Sequence, residues 1–220
     1  MLVFDKPAGL AVQGGAGVTK SLEDLLAALA KSNGKRPRLV HRLDRETSGV
    51  IVAARTKPAA AFLSQAFAGR AAKKIYLAIV CGGPPEPREG EIALALKKSN
   101  RRGLDIMEVA SDGQAALTRY RTLASSAGAA LVELEPETGR MHQLRAHMAA
   151  IGRPIAGDGK YGGFFRIGGA EIAGLMLHAA LIEIPHPDGG RRSFEAAPPA
   201  SFKEALRSLG LEGALAAECC

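Results

Sequence analysis

Apolar positions along the chain fall into two rhythms: short alternating or continuous runs that predict strands, and runs at helical spacing. Leu2-Val3-Phe4 is a short strand, closed by a turn at Asp5-Lys6-Pro7-Ala8-Gly9. Gly14-Gly15-Ala16-Gly17 lacks the Lys-Ser/Thr of a nucleotide loop and reads as a flexible connection. Ser21 and Asp24 predict a capping box for a helix with Leu22, Leu25, Leu26 and Leu29 inward, ending near Asn33-Gly34. His41 to Gly49, HRLDRETSG, is a charged loop running straight into the apolar strand Val50 to Ala54. Pro58 starts a second helix with Phe62, Leu63, Ala66 and Phe67 inward and Gly69 as its stop. In the strand Lys73 to Val80, Ile75, Leu77 and Ile79 share one face, and Lys74, Tyr76 and Ala78 the other.

Residues 84 to 113 show no clear period and read as an irregular excursion, with Lys97-Lys98 and Arg101-Arg102 as basic points. Ala116 to Leu123 and Ala130 to Glu135 predict an antiparallel pair around Ser125-Ser126-Ala127-Gly128. Between Thr138 and Gly163, Met141, Leu144, Met148 and Ile151 recur at helical spacing, while His142 and Arg145 mark a cationic face. Gly152 with Arg153-Pro154 stops that helix. A buried strand follows Leu175, with Leu177 near its start, and a last amphipathic helix holds Phe202, Leu206 and Leu209.

Composition narrows the class. The 220 residues are 47% hydrophobic and 23% charged, enough for one large domain or two closely packed lobes. A formal charge of +7 suits a polyanionic partner. No apolar run approaches the ~20 residues of a membrane span, and the N-terminus lacks a signal-peptide order, so a cytoplasmic protein is expected. Cys81, Cys219 and Cys220 are too few and too badly spaced for a disulfide framework or a zinc site. The terminal Cys-Cys pair, with no phosphate loop to support a lipidation signal, is read as accidental. His142 and His147 are five apart without a zinc-protease Glu, so no metal is expected.

Candidate chemistry concentrates in the charged loop. Asp44 sits among arginines that would keep a carboxylate ionised and oriented, as a nucleophile or base requires. The competing reading is a surface turn whose charges only solvate one another. Tyr76 is either an edge-of-core hydrogen bonder or a platform for a stacked base. An arginine on the Thr138–Gly163 helix could pair with a carboxylate from another element, and Asp44 is the carboxylate of choice.

Five stretches, LVFDKPAGL, HRLDRETSGVIVAART, KKIYLAIVCG, TGRMHQLRAHMAAIGRPIAGDGKYGG and LHAALIEIPHP, together resemble the RluA-type pseudouridine synthases over nearly the whole chain. The resemblance implies an α+β fold: a mixed, mainly antiparallel central sheet in two fused lobes flanked by helices, with the active-site cleft between them. In a departure from many members of that family, a single catalytic domain over residues 1–220 is expected, without a separate N-terminal RNA-binding domain. Asp44 would be the catalytic aspartate, Tyr76 would stack on the target base, and Arg145 would pair with Asp44, a place for which Arg140 has a similar claim. Leu177 would close the pocket, and Arg42 would enter the RNA stack in place of the extruded nucleotide. His41, Arg45, Lys74, Arg140 and His142 complete the expected RNA contacts.

The implied reaction breaks the N-glycosidic bond of a flipped uridine in ribosomal or transfer RNA, turns the uracil and rejoins it through carbon. No cofactor is expected, and a monomer is. Asp44 could add to the sugar carbon or remove a sugar proton; the residues leave both routes open. A non-catalytic RNA-binding or ribosome-assembly module would have no use for Asp44, Tyr76 and Arg145 together. A hydrolase using Asp44 and Glu46 would want aromatic sugar platforms, and the chain has no Trp.

Overall fold

The computed structural model describes residues 1–15, 17–30, 34–101 and 103–213. Ala16, Asn33, Arg102 and the Cys219-Cys220 pair, all named above, lie outside the described residues. In chain order the elements begin with β1 (Leu2–Lys6), α1 (Leu22–Ala27), β2 (Arg38–Leu39), β3 (Ser48–Ala54), α2 (Lys57–Ala68) and β4 (Lys73–Cys81). Next come β5 (Glu89–Ile92), β6 (Leu96–Arg101), β7 (Leu104–Val109), β8 (Thr118–Ser126), β9 (Ala129–Pro136) and α3 (Gln143–Ala150). The chain continues through β10 (Arg166–Ile167), β11 (Ala170–Glu171), β12 (Leu177–Pro185), β13 (Arg191–Glu195) and α4 (Ala200–Ser208). The fold is α+β on a mixed central sheet, as expected. Among the described residues no helix is long and apolar enough to cross a membrane.

The chain divides into two compact units, Met1–Lys74 with Ala179–Pro198, and Ile75–His178 with Pro199 onward. In the first, β1 and β2 pair antiparallel with β3, and β13 pairs antiparallel with β12. Every residue of β3 is buried, because Val50 to Ala54 offers apolar side chains to both faces. The capping box forms as read, with Ser21 Oγ accepting from Asp24 N–H and the Asp24 carboxylate accepting from Ser21 N–H. The helix it opens is shorter than expected. It ends at Ala27, and Leu25 and Leu29 are exposed, so only Leu22 and Leu26 pack inward. In α2, Thr56 caps the N-terminus and Leu63 and Ala66 are buried, but Phe62 points to solvent. A six-residue helix cannot carry two core rows, and α2 needs only one stripe against its neighbours.

In the second unit, β4, β9, β8 and β5 are neighbours in that order. β8 and β9 pair as expected, with an irregularity between Thr122 and Ala124. Residues 96–109 are not irregular: β6 and β7 form an antiparallel hairpin whose exposed cross-strand ion pairs join Lys98 to Asp105 and Arg101 to Glu108. The helix predicted from Met141 begins at Gln143, and Gln143 through Met148 are all buried. Its cationic face is therefore an interior face, and its polar groups must find protein partners.

Gly49 joins the charged loop to β3 in a backbone conformation, φ +110°, that L side chains avoid. A Cβ there would lie 2.2 Å from the carbonyl oxygen of Ala179. Gly49→Ala should therefore destabilise the fold by about 3 kcal/mol or more, read as a lowered midpoint in urea. A midpoint within experimental error of wild type would refute the close approach.

Candidate active site

The charged loop is held in place by a residue that the sequence pattern did not single out. Lys6, at the end of β1, is 1% exposed, and its ammonium donates to the carbonyls of Pro7, Leu10 and Arg45 at 2.9, 2.9 and 3.0 Å. One cation thus ties the Pro7–Leu10 turn to the backbone beside Asp44. Burial pushes the Lys6 ammonium down to about 8, against the opposing pull of the Glu46 and Asp44 carboxylates. The second tie comes from Arg45, which donates through Nε to Gly9 O at 3.0 Å, while Gly9 N–H donates back to Arg45 O at 2.9 Å. Thr47 N–H closes the loop onto Asp44 O at 3.1 Å, and Leu43, Thr47 and Ser48 are buried on either side. Asp44 itself is half-buried on this fixed backbone, and Arg42 is exposed.

His41 has a structural task. Its Nε2 accepts from Val52 N–H at 2.9 Å, and its ring stacks on Phe67 with centroids 4.3 Å apart. Burial, helped by the nearby Lys74 cation, pushes its pKa down to about 3, so the imidazole is neutral at physiological pH. A neutral ring with one nitrogen engaged suits packing of the loop onto β3 better than a phosphate contact. Lys74 is half-buried where β4 begins.

The other expected residues belong to the second unit, and Tyr76 stands half-buried at the point where β4 becomes wholly buried, opposite Leu134 on β9. Leu177 is buried at the start of β12. Arg145 on α3 forms a two-pronged pair with Asp158, Nε to Oδ2 and Nη2 to Oδ1, both at 2.7 Å. Both side chains are almost fully buried, and the Tyr161 ring faces the guanidinium at 5.2 Å. Removing one partner from such a pair would leave an uncompensated buried charge.

The other polar residues of the interior face of α3, Gln143 and His147, also find protein partners. Gln143 accepts from Thr138 Oγ1 and Arg140 N–H and donates to Leu117 O and Thr118 Oγ1. His147 donates from Nε2 to Leu94 O at 3.0 Å, which leaves Nδ1 to accept from the Thr118 hydroxyl at 2.9 Å. Tyr161 OH accepts from Met107 N–H at 2.7 Å and lies 3.0 Å from His142 Nδ1. The Arg140 side chain donates a long bond, 3.3 Å, from Nε to Ala115 O. Lys6, Asp158, Tyr161 and Gln143 were all present in the quoted motifs. The signal that could have marked Asp158 is an arginine on a helix with no surface to face.

A family described as RNA pseudouridylate synthase matches residues 1–150. The chain belongs to the RNA pseudouridylate synthase family. An uncharacterised RNA pseudouridine synthase of Zymomonas mobilis is 40% identical over 205 residues, covering 92% of both chains. Ribosomal large subunit pseudouridine synthase C of Escherichia coli is 36% identical over 95% of this chain and 67% of its own. Among solved structures, human RNA Pseudouridylate Synthase Domain Containing 4 matches with a TM-score of 0.80 at 30% identity, covering 94% of this chain and 89% of that one. As a pseudouridine synthase of the RluA type, the protein is an isomerase acting on RNA.

The buried imidazole gives this synthase a measurable acid response. His41 binds its proton near pH 6.5 when unfolded but only near 3 when folded. Its contribution to stability is complete above about pH 6.5 and is lost as pH falls toward 3. Urea unfolding at pH 7 and pH 4 should therefore show a smaller acid loss for His41→Asn than for wild type. Identical losses would show that His41 is not the neutral, buried ring described here.

Proposed function

We propose that Asp44 carries the isomerisation of uridine in a ribosomal or transfer RNA, with Tyr76 stacked under the base and Arg145 orienting the carboxylate. The observation that supports this most is the fixing of the Asp44 backbone by Lys6, Arg45 and Thr47. A carboxylate delivered on an immobile loop loses little freedom on reaching the transition state. In this reading Asp44 attacks the sugar carbon or removes a sugar proton while the N-glycosidic bond breaks. The freed uracil turns on the Tyr76 ring and rejoins through C5, whose hydrogen leaves as a proton while N1, freed from the sugar, takes one up, and Asp44 leaves the sugar carbon or returns the sugar proton. Atoms and electrons balance without an oxidant, a hydrolytic water or a metal.

Arg145 supports the reaction by charge and direction. The Asp158 fork uses one edge of its guanidinium, and a guanidinium has donors on more than one edge. The family resemblance names Asp44 as the second acceptor. Asp158 and Tyr161 would then preset Arg145 so that its remaining edge needs no reorganisation. Base flipping costs a few kcal/mol, which stacking on Tyr76 and insertion of the exposed Arg42 into the vacated stack would offset. The name of the E. coli relative favours ribosomal over transfer RNA as the substrate.

Three substitutions at two residues test the assignment. Asp44→Asn should keep RNA affinity but release tritium from C5-labelled RNA at below about one per cent of the wild-type rate, a barrier change of roughly 2.7 kcal/mol or more. Tyr76→Phe should bind RNA nearly as wild type, whereas Tyr76→Ala should lose about 1–3 kcal/mol. Residual turnover in Asp44→Asn above that level would remove Asp44 from the reaction, and equal binding losses in both Tyr76 variants would assign the effect to the hydroxyl.

A further inference from the structure

Phe164 and Phe165, just before β10, are 56% and 54% exposed. Single exposed apolar residues are ordinary, but this pair sits on a fixed backbone. Phe164 N–H donates to Cys81 Sγ at 3.3 Å, its carbonyl accepts from Gly157 N–H at 2.9 Å, and the Phe165 carbonyl accepts from Ile172 N–H at 2.9 Å. Held this way, the two rings are presented to solvent in a set place. Phe165 lies across Gly159, where a Cβ would stand 3.5 Å from the ring. Gly159 separates Asp158, the partner of Arg145, from Lys160, so the rings extend from the same turn that sets the arginine. Lys160 follows Gly159, with its Nζ 3.5 Å from Asp105 O, and the exposed Arg166 follows Phe165 and shares an exposed ion pair with Glu171.

We propose that Phe164 and Phe165 form a stacking platform for unpaired bases flanking the target uridine, with Lys160 and Arg166 meeting the adjoining phosphates. The proposal rests on the isomerase reading above and adds to it how the surrounding RNA is gripped. Aromatic rings beside cations match the chemistry of single-stranded RNA, whose splayed bases stack and whose backbone is anionic. Two rings are far short of the ~800 Å² per partner of a stable protein interface, so RNA is the better occupant. Because every base has a π face, the platform tolerates sequence and grips loops in preference to duplex.

The test compares wild type, the double variant Phe164→Leu/Phe165→Leu and the double variant Phe164→Tyr/Phe165→Tyr. Affinity is measured for a stem-loop oligoribonucleotide with an unpaired uridine and for inorganic polyphosphate, which has charge but no bases. Leucine keeps apolar bulk and loses the π face, so the Leu pair should weaken RNA binding about tenfold or more, while the Tyr pair stays within about threefold. Polyphosphate affinity should be equal in all three proteins. RNA affinity unchanged in the Leu pair overturns the proposal, and so does an equal loss of polyphosphate affinity, which would report lost charge or lost fold. Tritium release from C5-labelled ribosomal RNA by wild type separates the two layers: no release defeats the isomerase reading, and release alongside unchanged affinity in the Leu pair defeats only the platform.

Discussion

The Lys6 ammonium is the interaction on which the Asp44 loop depends. A buried cation is costly to hold, and its depressed pKa, about 8, expresses that cost. Three carbonyls from Pro7, Leu10 and Arg45 converge on it and offset part of the penalty. The same geometry makes the group hard to replace. An apolar side chain of similar length would leave three carbonyls without the donor they share, and buried unsatisfied acceptors are costly. The Glu46 and Asp44 carboxylates favour the charged form, so the loop's negative charge helps hold the buried cation. Positional precision in a charged loop thus comes from a lysine whose chemistry is structural.

The second unit solves the opposite problem. Helix α3 is buried from Gln143 to Met148 while carrying Gln143, Arg145 and His147, so its polarity must be answered from within. Gln143 and His147 are met by Thr138, Thr118 and backbone carbonyls, and Arg145 by Asp158. A guanidinium fixed on one edge by a buried carboxylate and faced by the Tyr161 ring has little freedom left. That restriction is what an electrostatic partner in a reaction needs, because a preset charge costs nothing to reorganise when charge develops.

Much of this was legible from local pattern. The capping box at Ser21, the apolar run of β3, the β8–β9 pair and α4 follow from propensity and periodicity, and the structure repeats them. The β6–β7 hairpin was hidden because its exposed positions carry Lys98, Arg101, Asp105 and Glu108, whose cross-strand pairing is invisible in a one-dimensional charge run. The inward turn of α3's polar face was hidden for a related reason: helical spacing shows which residues share a face, not what that face meets. Leu25, Leu29 and Phe62 were expected inside because periodicity counts apolar residues and cannot see where a helix ends or how narrow a stripe its neighbours cover. Lys6 lay in a recognised motif, yet three carbonyl acceptors that include one 39 residues away belong to tertiary structure alone.

Lys6→Met tests the central dependence most directly, measured as kcat for tritium release and as RNA affinity, well below the variant's melting temperature. If the ammonium positions Asp44, kcat should fall at least about tenfold while RNA affinity stays near wild type, since the change would act on the reacting geometry by more than ~1.4 kcal/mol and not on the phosphate contacts. A folded Lys6→Met protein that turns over at the wild-type rate would contradict it.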